Sequence, residues 1–167
     1  MKQIISIVVK NNPGVLARVS ALFERRGFNI DSLSVATTDN PQISRITVTV
    51  SADVVEIEQL IKQTLKLEET ISVTPLKEDN TVARELFLVK LIATNNGNVW
   101  FGNRIYSLCD EFGADILDVT KESMIIELTG NSSKIDEFVK ELKENAQTGY
   151  RVSKVCRTGV TAMEKGI

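Results

Sequence analysis

The feature that most constrains this chain is a pattern of elements that runs through once and then returns. An apolar run from Ile4 to Val9 opens it. Val15, Leu16, Val19, Leu22 and Phe23 then follow helical spacing, and Gly27 ends the run. Phe28 to Val35 reads as a strand whose apolar parity slips between Ile30 and Leu33, which predicts a bulge near Asp31-Ser32. Thr38-Asp39-Asn40-Pro41 is a turn. Ile46, Val48 and Val50 alternate with Arg45, Thr47 and Thr49, and Ile57, Leu60, Ile61 and Leu65 mark a second helix. Ile71 and Val73 give a last strand, stopped by Pro75. The order is βαββαβ.

The order then repeats. Leu86 to Ile92 is a strand, and Ile105, Leu108, Cys109 and Phe112 line a helix ended by Gly113. Ala114 to Val119 and Met124 to Thr129 are strands, Ile135 to Leu142 a helix, and Val152 and Val155 lie in a final strand. Gly27-Phe28-Asn29-Ile30 is echoed by Gly113-Ala114-Asp115-Ile116 at the same place in each half. The expected fold is α+β: two ferredoxin-like βαββαβ modules with antiparallel sheets, each carrying both helices on one face. The modules are placed at 1–77 and 85–167, with a polar linker at 78–84. Strand Ile4 to Val9 is apolar on both faces, so the helix-free face of the first sheet is expected to be covered too, by the other module or by a second subunit.

Composition narrows the function. The net charge is −2 over 167 residues, which argues against a nucleic-acid partner that must be held through its phosphates; Arg25-Arg26 is a local basic spot. Aromatic residues are 5% of the chain and strand Ile46 to Val50 has none, so an RNA-recognition module with stacking aromatics is disfavoured. No apolar run approaches the roughly 20 residues of a membrane span, and no membrane partner is expected. Two distant cysteines, Cys109 and Cys156, fit a reducing cytoplasm better than a disulfide framework. Cys109 keeps step with the core positions of its helix, and neither cysteine has a second close ligand for zinc. The chain has no histidine, hence neither the commonest general base nor the commonest metal ligand. No catalytic and no metal residue is assigned.

Asn11-Asn12-Pro13-Gly14 stands between the first strand and the first helix. Asn12 is placed as the helix cap and Pro13 as the first helical residue. One reading is a plain entry turn. The other is a cradle of free N–H groups at a positive helix end, suited to a carboxylate. Asn29 is either a helix-end residue or a second polar group of that cradle. Gly97-Asn98-Val99-Trp100-Phe101-Gly102 lacks the signature of a phosphate loop and reads as turn chemistry, with Trp100 and Phe101 beneath a loop or against a partner.

These residues resemble a known family. Asn11, Pro13-Gly14-Val15-Leu16 and Arg18-Val19, then Leu22-Phe23 and Arg25-Arg26-Gly27-Phe28-Asn29-Ile30, then Ser32-Leu33, Val35-Ala36 and Ser44-Arg45, look like the small regulatory subunit of acetolactate (acetohydroxyacid) synthase. Arg84-Glu85-Leu86, Asp118-Val119, Thr129-Gly130 and Arg157-Thr158-Gly159 extend the match over nearly the whole chain. Glu164-Lys165 departs from the pattern, where the family usually has an arginine before a late glycine.

The resemblance implies tandem ACT domains and a homodimer. It implies valine, or another branched-chain amino acid, at the interface of paired N-terminal domains. Asn11, Gly14, Val15 and Leu16 would hold it with Asn29 and Ile30 of the other copy. It also implies a large catalytic subunit that this chain activates and makes sensitive to feedback inhibition. No cofactor is expected in this chain; thiamine diphosphate, magnesium and FAD would belong to the catalytic partner. A stand-alone ACT-repeat regulator of another enzyme or of transcription, and a small acylphosphatase-like enzyme, are the rival readings.

Overall fold

A computed structural model describes residues 2–94, 103–146 and 149–166. The Gly97–Gly102 turn with Trp100 and Phe101 lies outside them. The chain forms two compact units: residues 1–83 together with 159–167, and residues 84–158.

In the first unit, β1 (Lys2–Lys10), β2 (Ile30–Thr37), β3 (Ile43–Ser51) and β4 (Thr70–Leu76) make an antiparallel sheet in the order β2-β3-β1-β4. Helices α1 (Val15–Arg25) and α2 (Val54–Thr64) cover one face. Period-two alternation turns Ile5, Ile7 and Val9 of β1 and Ile46, Val48 and Val50 of β3 toward them, where they join Val19, Phe23 and Leu60 in one core. Each such side chain, fully withdrawn from water, contributes about 1.5–3 kcal/mol. Asp53 starts α2 with a capping box, its carboxylate accepting from the Glu56 N–H at 2.8 Å while Glu56 accepts from the Asp53 N–H. The slip expected in β2 is present as a register shift between Ile30 and Ser32.

Pro75 does not stop β4, which runs on to Leu76 with Pro75 opposite Ile5. β4 is an edge strand, and an edge tolerates a residue without an N–H donor. The polar 78–84 segment is ordered as well. A 3-10 turn spans Glu78–Asn80, and β5 (Thr81–Ala93) begins directly after it.

The second unit repeats the plan with β5, β6 (Asp115–Val119), β7 (Ser123–Gly130) and β8 (Tyr150–Arg157) in the order β6-β7-β5-β8. Helices α3 (Asn103–Phe112) and α4 (Ser132–Asn145) supply its other layer. Phe87, Val89 and Leu91 of β5 and Met124, Ile126 and Leu128 of β7 form its core with Ile135 and Phe138. Phe138 meets Phe87 edge-on at 6.2 Å between ring centres and Phe112 at 5.2 Å. Cys109 is buried in this core as its spacing predicts, and burial pushes its thiol up to about 11.

Arg157 ties the start of β5 to α4. Its Nε donates to Glu85 Oε2 at 2.9 Å, Nη2 to Glu85 Oε1 at 2.6 Å, and Nη1 to Asp136 Oδ1 at 2.6 Å. Burial alone would raise the Glu85 carboxyl, but hydrogen bonds from Arg157 and Ser132 outweigh it and hold the group below its ordinary value.

The largest departure from the sequence-based outline is at the C-terminus. Residues from Gly159 onward leave the second unit and return to the first. There, β9 (Thr161–Glu164) pairs with β5. Val160 and Ala162 pack on Leu76, with Ile4 and Ala83 beside them. Ser34 Oγ donates to the Val160 carbonyl at 2.8 Å, and the Val160 N–H donates to Ser32 Oγ at 3.1 Å. The chain's own last residues thus cover the helix-free face around Ile4, where the two-sided apolar pattern of β1 predicts the other module or a second subunit. Thr47 and Thr49 are buried on the same face.

Candidate functional site

The turn between β1 and α1 is shaped by backbone hydrogen bonds. The Asn11 N–H donates to the Gln42 carbonyl at 2.7 Å, and Asn11 Nδ2 to the Pro41 carbonyl at 2.9 Å. Asn11 therefore pins the turn to the β2–β3 connection. The Asn12 N–H donates to Lys10, and the Asn12 carbonyl accepts from the Val15 N–H at 3.2 Å.

The helix entry differs from the one expected. Gly14, not Asn12, is the cap, and α1 begins at Val15, so Pro13 lies before the helix. Gly14 has φ +81°, the left-handed region, and no side chain caps the helix. That conformation reverses the chain sharply and is nearly free of cost only for glycine. A Cβ here would also come within 3.2 Å of Arg18 Nη1.

The first bond inside the helix runs from the Arg18 N–H to the Gly14 carbonyl at 3.1 Å. The N–H groups of Gly14, Leu16 and Ala17 have no acceptor among the described residues. They gather at the positive end of the helix, where a carboxylate is favoured. Val15 is buried beneath them and Leu16 half-buried.

From sequence, Arg18 stands only as part of the motif and Glu69 reads as a solvated acid. Arg18 is one helical turn after Gly14, so its position was readable from spacing. It pairs with Glu69, a contact across 51 residues that leaves no local trace. Glu69 in turn accepts from the Lys10 N–H through its carbonyl at 2.8 Å. Its carboxyl is lowered by a backbone hydrogen bond and by Arg18. A guanidinium thus stands next to the free N–H groups.

Asn29 and Ile30 lie elsewhere. The far end of α1 closes through Gly27 N–H to Glu24 carbonyl at 2.9 Å and Phe28 N–H to Phe23 carbonyl at 3.0 Å, which delivers Asn29 exposed at the start of β2. The helix has 11 residues, so its two ends are about 16 Å apart. One copy brings Asn11, Gly14, Val15 and Leu16 together, and leaves Asn29 and Ile30 beyond the reach of any ligand as small as an amino acid at Gly14.

Among the described residues no cluster of potential metal ligands occurs, and no helix is long and apolar enough to cross a membrane.

Known proteins share this arrangement over the full length. Residues 5–72 match the family described as AHAS small subunit-like ACT domain, and residues 84–166 the family described as small subunit of acetolactate synthase. A probable acetolactate synthase small subunit of Archaeoglobus fulgidus is 42% identical over 166 residues, 99% of this chain and 98% of that one. The acetolactate synthase small subunit of Haemophilus influenzae is 36% identical, over 99% of this chain and 97% of its own length. The crystal structure of the Thermotoga maritima small subunit superposes with a TM-score of 0.87 at 36% identity, covering 100% of this chain and 99% of that one. Two modules of one plan, an open helix end built on Gly14 and these matches along the whole sequence give a single answer: the chain belongs to the acetolactate synthase small-subunit family.

Proposed function

We propose that this chain is the amino-acid-sensing subunit of an acetolactate synthase, in the synthesis of branched-chain amino acids, and that its N-terminal unit binds valine. The observation that carries the reading is the set of unoccupied N–H donors at Gly14, Leu16 and Ala17. They suit a carboxylate, and half-buried Leu16, over core residue Val15, adds apolar surface beside them. Asn29 and Ile30 are supplied by a second copy, because within one chain the length of α1 keeps them away. The ligand is therefore held between two protomers of a homodimer. A site of this kind reads out the arrangement of the pair.

Valine favours one arrangement, and that arrangement changes how the small subunit holds the large catalytic one. The coupling cannot exceed the difference in valine affinity between the two arrangements, typically about 1–3 kcal/mol. Catalysis, with thiamine diphosphate, magnesium and FAD, is assigned to the large subunit.

Two measurements test this. Titration calorimetry of valine on Asn29→Ala should show a loss of about 1–3 kcal/mol, the cost of leaving a buried polar group of the ligand unpaired. Unchanged affinity removes Asn29 from the site. Reconstitution with the large subunit should raise its synthase activity and make it valine-sensitive. If the chain co-purifies instead with an unrelated enzyme or a transcription factor, the rival reading as a stand-alone regulator replaces this one.

A further inference from the structure

Beside the open end of α1 stands an ion pair to which the N–H groups alone give no role. Arg18 lies one turn along α1 from Gly14, and side chains on a helix lean toward its N-terminus. The guanidinium therefore reaches back to Gly14, where its Nη1 stands 3.2 Å from the place a Cβ would take. Its Nη2 donates to Glu69 Oε1. Glu69 is anchored through its backbone, because its carbonyl accepts the Lys10 N–H at 2.8 Å. Lys10 ends β1, the strand that runs into the Asn11–Gly14 turn. Helix and strand thus hold the two partners on either side of that turn.

The pair has bonding capacity left over. Nη1 has no acceptor among the described residues, and a guanidinium has donors to spare beyond one carboxylate contact. A carboxylate likewise accepts more bonds than Arg18 supplies. The Glu69 side chain is 15% exposed and that of Arg18 45%, so the cation meets solvent on the side of Gly14 while the acid is partly sheltered behind it. A backbone hydrogen bond and Arg18 hold the Glu69 carboxyl below its ordinary value, which keeps it charged at neutral pH.

We infer that the Arg18–Glu69 pair reads the head group of the bound amino acid as a zwitterion, Arg18 joining the N–H groups on its carboxylate and Glu69 accepting from its ammonium. This rests on the reading of the N-terminal unit as an amino-acid site. The N–H groups at the helix end favour any carboxylate, including an α-keto acid with the same branched side chain. A lone arginine beside them would strengthen that preference for anions without regard to the rest of the ligand. Glu69 changes the selection. It cancels the charge of Arg18, so a net anion gains little, and it supplies an acceptor that only an ammonium satisfies. A free α-amino acid carries its two charges on either side of one carbon. Laid head to tail along the ion pair, each charge meets its opposite. The ligand class is therefore a neutral α-amino acid, selected against the keto acid of the same carbon skeleton.

The test is titration calorimetry on the full-length chain with two probes, valine and α-ketoisovalerate, which has a carbonyl oxygen where valine has its ammonium. The wild-type chain should bind valine at least about thirtyfold more tightly than the keto acid, the effect of one hydrogen-bonded charge pair. Glu69→Gln keeps the size and removes the anion, so valine should weaken about tenfold or more while the keto acid holds its affinity, and the ratio should fall to about threefold. Glu69→Asp, which keeps the charge, should retain most of the discrimination. Arg18→Gln should weaken both probes by a similar factor of about tenfold. A merely structural pair would make Glu69→Gln weaken both probes alike. That result, or a wild-type chain that binds the keto acid as tightly as valine, overturns the inference and leaves the amino-acid site standing. A wild-type chain that binds neither probe overturns the site itself and the inference with it. Circular dichroism of each variant shows that the fold is retained.

Discussion

The two sheets share an order of elements, yet their helix-free faces could hardly be less alike. In the first unit the face is rich in hydroxyls, with Ser6, Thr47 and Thr49 buried, and the chain's own Gly159–Ile167 segment returns to it. In the second, half-buried Leu88, Ile92 and Ile125 lie between Asp115, Asp118 and Glu127 on one side and Lys90, Arg151 and Lys154 on the other. The helix-facing cores, by contrast, are nearly interchangeable in kind: Ile5, Ile7, Val9 and Phe23 in one, Phe87, Val89, Leu91 and Phe138 in the other. A duplicated module keeps the layer that makes it fold and diverges on the layer that meets other things.

The sharpest way to break this comparison is Val160→Asp. Val160 is 4% exposed on the first sheet's covered face, and a carboxyl there loses water without a partner. It should destabilise the first unit by about 3 kcal/mol and speed amide exchange near Ser32 and Ser34. The same change at Val155, which is 45% exposed at the edge of the second sheet opposite Val89, should cost no more than about 1 kcal/mol. Equal effects at the two sites in thermal unfolding would mean that the C-terminal segment is not held as described.

A smaller effect separates the units by pH. Glu85→Ala leaves Arg157 with Asp136 alone and should cost the second unit about 2 kcal/mol at neutral pH. A wholly buried pair would lose about 3–5, but Arg157 is 35% exposed. Because the folded carboxyl of Glu85 is lowered, its contribution is complete above the ordinary value of 4.5 and declines as pH falls below it. Wild type and Glu85→Ala should therefore converge in stability under acid, measured by urea unfolding across that range. A smaller loss than at Glu85 is expected at Gly14: Gly14→Ala should cost about 1 kcal/mol of stability, mainly from the left-handed backbone.

Much of this was legible from the residues in order. Helical spacing locates α1 through α4, and apolar runs, with clear alternation in β3, locate β1 through β8. The parity slip at Ile30 to Leu33 announced the bulge. At Asn11–Gly14 the sequence leaves two readings open, a plain helix entry and a cradle of free N–H groups, because Asn, Pro and Gly serve both. The first helix starts at Val15, two residues later than Asn12 and Pro13 predict. Asn and Pro are good entry residues by propensity, but Asn11 and Asn12 are already committed to Pro41, Gln42, Lys10 and Val15 through the turn. Pro75 reads as a stop because proline lacks a donor, and only its place on an edge strand makes that harmless.

By itself, then, the sequence determined the order of elements, the two cores and the chemistry available at Gly14. Each of these rests on periodicity or on neighbours a few positions apart. The tertiary structure alone decided that the last residues belong with the first, that Arg18 meets Glu69 and Arg157 meets Glu85, and that Asn29 stands a helix length from Gly14. Those pairings join positions up to 128 apart, such as Ser32 and Val160. Contacts at that separation impose no repeating pattern on the residues between them, so only the folded chain displays them.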